Sequence, residues 1–252
     1  MLYENDLGYG SMISISKIIA DNFNGYYEEH NDEGYTVACA YRDSFYSRYY
    51  ITDHSKDVAG IIRRCAEGAA AGGPKFICFI PELMPTDYEE LLTKAGYTRG
   101  FLQHSMWAYT DRLVQFPPFT KGEIRRIERD ELEEWKDTMQ KGFGKQRDEH
   151  GMYEALYDSK RVRFYGCFIN GKIVGTAMLA IDGDLSGMHE GAVLPEYRRL
   201  GIITSLIMKM TSDLRELHIG KVSLQASDMG HPVYSSAGII KTGMIETWAF
   251  EK

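Results

Sequence analysis

Residues 189–209 read HEGAVLPEYRRLGIITSLIMK, and the change of pattern inside this stretch decides the reading of the chain. An apolar run ends at Pro195, Arg198, Arg199 and Gly201 follow, and apolar residues then return at Ile203, Leu206, Ile207, Met210 and Leu214. That spacing of three and four predicts a helix over residues 203–220, with Gly220 as its C-cap. A strand that stops at a proline and turns into a helix leaves the helix's first N–H groups without internal partners. Gly201 lets the backbone come close to an anion, the helix dipole favours negative charge, and two arginines are in reach of phosphate oxygens. The turn is therefore a candidate pyrophosphate cradle. An ordinary strand-to-helix turn with two surface arginines fits the same spacing.

Upstream of this turn, VRFYGCFI (162–169) and KIVGTAMLAI (172–181) are apolar runs joined by Asn170-Gly171, a strong hairpin signal. Asp182-Gly183-Asp184 makes the next turn, and KVSLQAS, a short helix HPVYSSAG and a last strand near IETWAFEK follow the long helix. EIRRIE reads as a further strand, Asp130 as the cap of a helix ELEEWKDTMQKGF, and DEHGMYEALYDS as a second helix. The order β-α-α-β-β-β-α-β-α-β describes an α/β (α+β) mixed sheet flanked by helices. Pro117 and Pro118 mark a seam near residues 116–121, which predicts units 1–116 and 120–252.

The end of the first unit repeats the end of the second. KFICFIPELMPTDYEELLTKAGYTRGFLQHSMWAY begins at Lys75 and KVSLQASDMGHPVYSSAGIIKTGMIETWAF at Lys221. Each runs strand, short helix, Ala-Gly, turn, then a strand closing on Trp-Ala-aromatic. Two diverged copies of one fold are expected.

Charge narrows the function. With 29 Lys and Arg against 36 Asp and Glu, the 252-residue chain carries a formal −7, so nucleic acid is not an expected partner. Cys39, Cys65, Cys78 and Cys167 sit in apolar surroundings without C-x-x-C pairs or histidines at ligand spacing, which predicts buried reduced thiols and no metal site. An acidic N-terminus and the lack of an apolar run near ~20 residues predict a cytoplasmic protein with no membrane partner.

VLPEYRRLGIITSLI resembles the acetyl-CoA-binding signature of the GCN5-related N-acetyltransferases (GNAT), in which Arg or Gln is followed by two residues, Gly, one residue, then Gly or Ala. Arg198 and Gly201 match; Ile203 stands where the family has a small residue. HPVYSSAGI is similar to the family's second motif, with Tyr234 four residues before Gly238. The resemblance covers residues 123–252. It implies acetyl-CoA as co-substrate, held by Ala192, Val193 and Leu194, by the turn Arg198, Arg199, Leu200, Gly201, Ile202, Ile203 and Thr204, and by Ser227, which serves equally as a helix N-cap. It also implies Tyr234 as proton donor to the leaving thiolate and a base near the strand end, His189 or Glu190. Period two along that strand sends these two side chains to opposite faces unless a bulge intervenes.

The expected activity is acyl-CoA-dependent transfer of an acetyl group to a primary amine of a small molecule or peptide. A catalytically silent CoA-binding or ligand-binding module on the same fold is the alternative. In the first copy the Tyr234 position is Leu92 and the cradle is TDHSKDVAG, whose aspartates repel a pyrophosphate. That copy is expected to fold like its partner, bind no CoA, and wall the substrate cleft or form a homodimer.

Overall fold

The computed structural model describes residues 6–144 and 150–251. Along the chain run α1 (Leu7–Asn22), β1 (Tyr26–His30), β2 (Tyr35–Cys39), β3 (Arg48–Ile51), α2 (Val58–Ala70), β4 (Phe76–Phe79), α3 (Tyr88–Ala95) and β5 (Tyr97–Tyr109). They are followed by β6 (Glu123–Arg126), α4 (Leu132–Phe143), α5 (Met152–Tyr157), β7 (Val162–Ile169), β8 (Lys172–Asp182), β9 (Leu185–Val193), α6 (Ile202–Glu216), β10 (Lys221–Ala226), α7 (His231–Ser236) and β11 (Ile240–Phe250). The mixed α/β class expected from the sequence is the one found. The first seven residues' acidic cluster and the start of the predicted helix DEHGMYEALYDS fall partly outside the described residues.

Two compact units form. The described residues of Met1–Met106, Gln225–Asp228 and Lys241–Lys252 make unit 1; Trp107–Leu224 and Met229–Ile240 make unit 2. These differ from the contiguous stretches 1–116 and 120–252. The physical reason on one side is β11, whose Glu246, Thr247, Trp248 and Ala249 pair antiparallel with Phe79, Cys78, Ile77 and Phe76 of β4. Trp248 and Phe250 thereby join the core of unit 1 with Tyr97, Leu92 and Ile77. On the other side, Thr110 is anchored within unit 2: its N–H donates to Gly220 O at 2.9 Å, its hydroxyl to Ile219 O at 2.8 Å, and Arg215 donates to its carbonyl.

In unit 1 the strands lie in the order β1-β2-β3-β4-β11-β5, with β3 and β4 parallel. In unit 2 the order is β10-β9-β8-β7-β6, with β9 and β10 parallel and the remaining pairs antiparallel. The β7–β8 hairpin turns at Asn170 and Gly171, both at positive φ (52° and 76°), the twist that Asn-Gly supplies. Trp135 of α4 is fully buried, packs edge-on against Tyr153 and Phe164, and donates its indole N–H to Tyr165 O at 2.9 Å. Glu128 and Glu131 form a capping box ahead of α4, so Asp130 is not its cap. All four cysteines are free and buried. No described helix is long and apolar enough to cross a membrane.

Candidate active site at the end of β9

β9 is held on both sides only along its first half. It pairs with β10 from Leu185↔Lys221 to Met188↔Leu224, and there the parallel register stops. Toward β8 the register runs Met178↔His189 and then Thr176↔Ala192, so three steps on β9 oppose two on β8. This is a β-bulge at Glu190-Gly191, and Glu190 takes the left-handed conformation there (φ 51°). The strict alternation expected from sequence is broken at the residues it was meant to sort. Glu190 is 6% exposed, and its carboxylate accepts from the Tyr153 hydroxyl at 2.9 Å while its carbonyl accepts from Thr176 Oγ1 at 3.0 Å. His189 lies over Gly187, where an added Cβ would meet its Nε2 at 2.3 Å, and it lines the side of the strand facing α6 and α7.

Past the bulge the backbone carries donors turned away from β8. Leu194 N–H donates to Val174 O at 3.0 Å. By the alternation of a strand, the N–H of Val193 then points to the other edge, where β10 no longer runs. Ala192 and Val193 are buried, and Gly142 at the end of α4 packs on them so closely that a Cβ there would meet Ala192 Cβ at 2.9 Å and Val193 N at 3.1 Å.

The turn into α6 begins on left-handed backbone and an uncapped helix start. Arg199 and Gly201 are both left-handed (φ 63° and 80°), and Gly201 is exposed, with nothing within 4 Å of where a Cβ would stand. No side chain of the described residues caps α6. Arg198 is exposed but committed to the backbone: its Nη2 donates to Gly142 O at 2.9 Å and its Nε to Val193 O at 3.4 Å. Its side chain braces the strand end against α4, which leaves Arg199 as the arginine of the pair with no such commitment among the hydrogen bonds of this turn. Leu200 and Thr204 are half-buried.

Ile202, not Ile203, is the core residue of the first helical turn. Its side chain is 2% exposed and lies over Gly175, where an added Cβ would approach Ile202 Cγ2 to 2.5 Å. Ile203 instead lines a gap of about 10 Å³, the size of one water, together with His189, Gly191 and Tyr234. A Cβ on Gly191 would come to 2.9 Å from Tyr234 Oη, so this hydroxyl rests against the released part of β9. Burial pushes the Tyr234 hydroxyl up to about 12. Ser227 is exposed in the loop after β10, and the N-cap of α7 is Gly230, so Ser227 is not the cap. The helix α6 ends at Glu216, four residues short of Gly220; His218 follows at φ 58°, and the Gly220 N–H donates to Asp184 Oδ1.

The structure thus brings together His189, Gly191, Ile203 and Tyr234, leaves Ser227 outside that gap, and turns Glu190 and Arg198 to bracing roles. Tyr153, Thr176 and Gly142 were not singled out from the sequence. Each acts on β9 from a distant position in the chain, and no local spacing marks such a contact. No cluster of metal-binding side chains occurs among the described residues.

Residues 125–238 match the sequence profile of the family described as "Acetyltransferase (GNAT) family". Among solved structures, the chain is similar to a GCN5-related N-acetyltransferase from Kribbella flavida, with 15% identity, TM-score 0.67, and 94% of this chain and 95% of that one covered. It is equally similar to a functionally unknown conserved protein from Staphylococcus epidermidis (12%, TM-score 0.67, 94% and 99% covered). A GCN5-related N-acetyltransferase from Sphaerobacter thermophilus follows (13%, TM-score 0.59, 85% and 76% covered). At such identities the likeness establishes the fold. No curated protein matches the chain in sequence.

Proposed function

We propose that the protein moves an acetyl group from acetyl-CoA to a primary amine of a small-molecule or peptide acceptor, with unit 2 as the catalytic copy, since residues 125–238 match the GNAT acetyltransferase family profile. The observation that carries the proposal is the Tyr234 hydroxyl resting against Gly191, in the part of β9 that has left β10.

The residues present fit the diphosphate of CoA. The uncapped start of α6, the open face of Gly201 and the left-handed Arg199 offer amides and a cation to an anion. Arg199, Leu200, Gly201, Ile202, Ile203 and Thr204 would hold it through backbone N–H groups, and Val193 N–H would meet the pantetheine side. When bound, acetyl-CoA supplies a thioester carbonyl open to attack by an amine.

The chain's own groups then have separate tasks. An acceptor amine near pKa ~10 is protonated at neutral pH and must lose a proton to attack. His189, on the Tyr234 side of β9, is the group we assign to that proton, since imidazole accepts protons near neutrality. Tyr234 Oη keeps its proton at neutral pH, because burial disfavours the phenolate, and so serves as donor to a departing sulfur rather than as base. Glu190 holds the bulge through Tyr153 and Thr176.

Thiol release from acetyl-CoA in the presence of a panel of primary amines and peptides tests the reading; acceptor-dependent release is expected. CoA binding without turnover on any amine would favour a silent binding module, which Ile203 beside Tyr234 also suits.

A further inference from the structure

The backbone strain in β9 sits at one residue. Among the described non-glycine residues at positive φ, Asn24, His150, Asn170, Arg199 and His218 lie in turns, whereas Glu190 (φ 51°) lies inside a strand. A side chain keeps that conformation only where its surroundings over-determine it. Two donors from different elements do so here. Thr176 of β8 donates to the Glu190 carbonyl at 3.0 Å, and Tyr153 of α5 donates its hydroxyl to the Glu190 carboxylate at 2.9 Å. Both donors are fully buried.

Three features give Tyr153 the deciding part. First, its ring packs edge-on against Trp135 at 5.5 Å and Phe164 at 6.2 Å, so its hydroxyl is held in place and cannot follow a strand that moves. Second, the carboxylate it serves is 6% exposed, and a buried carboxylate that loses a donor turns toward water and takes its backbone with it. Third, the bulge sets the phase of everything after it on β9, because a slip of one residue sends each later side chain to the opposite face. Beyond the bulge stand Gly191, against the Tyr234 hydroxyl, and Val193, whose N–H faces the edge that β10 has left. The placement of both follows from the backbone at position 190.

We propose that Tyr153 is a positioning residue for acyl transfer: through the Glu190 carboxylate it keeps the bulge, and the bulge keeps Gly191 and the Val193 N–H in place for acetyl-CoA. The proposal rests on the acetyl-CoA reading of unit 2. It differs from a packing role in one respect. Glycine reaches positive φ without steric cost, so a glycine at position 190 needs no holder, and its carbonyl still accepts from Thr176. The Tyr153 hydroxyl then becomes dispensable to the site.

The test is a cycle on the full chain of wild type, Tyr153→Phe, Glu190→Gly and the double variant, read by CoA affinity in calorimetry, by kcat and KM for acetyl-CoA, and by thermal midpoint. Tyr153→Phe should weaken CoA binding and lower kcat/KM by about 10- to 100-fold, the scale of a misplacement near 1 Å. Adding Glu190→Gly should bring both CoA affinity and kcat/KM back toward wild type, which a lost packing contact does not allow. If Tyr153→Phe fails to fold, the double variant carries the test, since it is expected to fold and turn over. Unchanged CoA affinity and kcat/KM in folded Tyr153→Phe overturn the proposal, as does a double variant no better than Tyr153→Phe or one that is itself unfolded. A wild type that binds no CoA overturns the acetyl-CoA reading itself and the positioning role with it, so the two failures are read on different chains.

Discussion

Two turns of the same design meet different fates in this molecule. In unit 1, β3 runs parallel to β4 and leads into α2; in unit 2, β9 runs parallel to β10 and leads into α6. At the first turn side chains from within the unit meet the helix start and two strand-end carbonyls. Asp57 caps α2, and the Tyr9 hydroxyl, fully buried, donates to Ile51 O at 3.1 Å and Cys78 O at 2.8 Å at the ends of the two strands. At the second turn the helix has no side-chain cap, β9 bulges away, and its edge donors face no strand. The following helices differ in kind too: α3 places Leu92, 0% exposed, in the apolar core, where α7 places the Tyr234 hydroxyl against Gly191. The lesson is that the same strand-to-helix turn can have its helix start capped from within or left uncapped, according to the side chain that precedes the helix.

The sharpest way to break this comparison is the pair Leu92→Ala and Tyr234→Phe. Leu92→Ala should cost about 2–5 kcal/mol of stability as a core truncation and leave turnover per folded molecule unchanged. Tyr234→Phe should lower turnover about 10²-fold or more with CoA affinity spared. Denaturant melts and steady-state kinetics on both variants decide; full turnover in folded Tyr234→Phe would reduce Tyr234 to a packing residue.

Gly191→Ala sharpens the same point sterically. The new methyl meets Tyr234 Oη, so turnover should fall toward the Tyr234→Phe level with little loss of thermal midpoint, and unchanged kinetics would separate the hydroxyl from the chemistry. Its counterpart is Tyr9→Phe, which leaves two buried carbonyls short of a donor. That should cost about 1–3 kcal/mol in a denaturant melt and leave kcat untouched.

pH offers a further contrast. The lowered His54 ring is neutral when folded and protonates near its usual value when unfolded, so the stability it lends is present above about 6.5 and is lost as pH falls toward about 4. This loss is at most about 3 kcal/mol, and His54→Leu should flatten it in acid melts. The raised Tyr234 works at the other end, since the unfolded phenol ionises first; its contribution holds below about 10 and fades as pH rises through about 12. Tyr234→Phe should remove that alkaline component.

The smallest effects belong to the arginines. Arg199→Ala should weaken CoA binding by about 1–3 kcal/mol, the scale of one charge-assisted contact, with folding intact. Arg198→Ala should instead lower the midpoint, because it releases Gly142 O and Val193 O. Equal losses of affinity calorimetrically in both variants would restore Arg198 to the cradle.

Local signals fixed much of this molecule in advance. Asn170-Gly171 specified its hairpin, the three-and-four spacing after Gly201 specified a long helix, and the two Ala-Gly to Trp-Ala segments announced a repeated strand–helix–strand ending. Each depends on backbone preference or side-chain period within a dozen residues, which a sequence carries in full. The bulge at Glu190, the phase that buries Ile202 in place of Ile203, the bond from Arg198 to Gly142 O and the joining of β11 to β4 depend on partners far along the chain. Period two cannot foresee a bulge, because the extra residue is set by Thr176 and Tyr153 acting on Glu190. Nor does a strand's own pattern name its neighbour: IETWAF reads as a strand beside either sheet, and the packing of Trp248 and Phe250 with Tyr97 and Ile77 decides which.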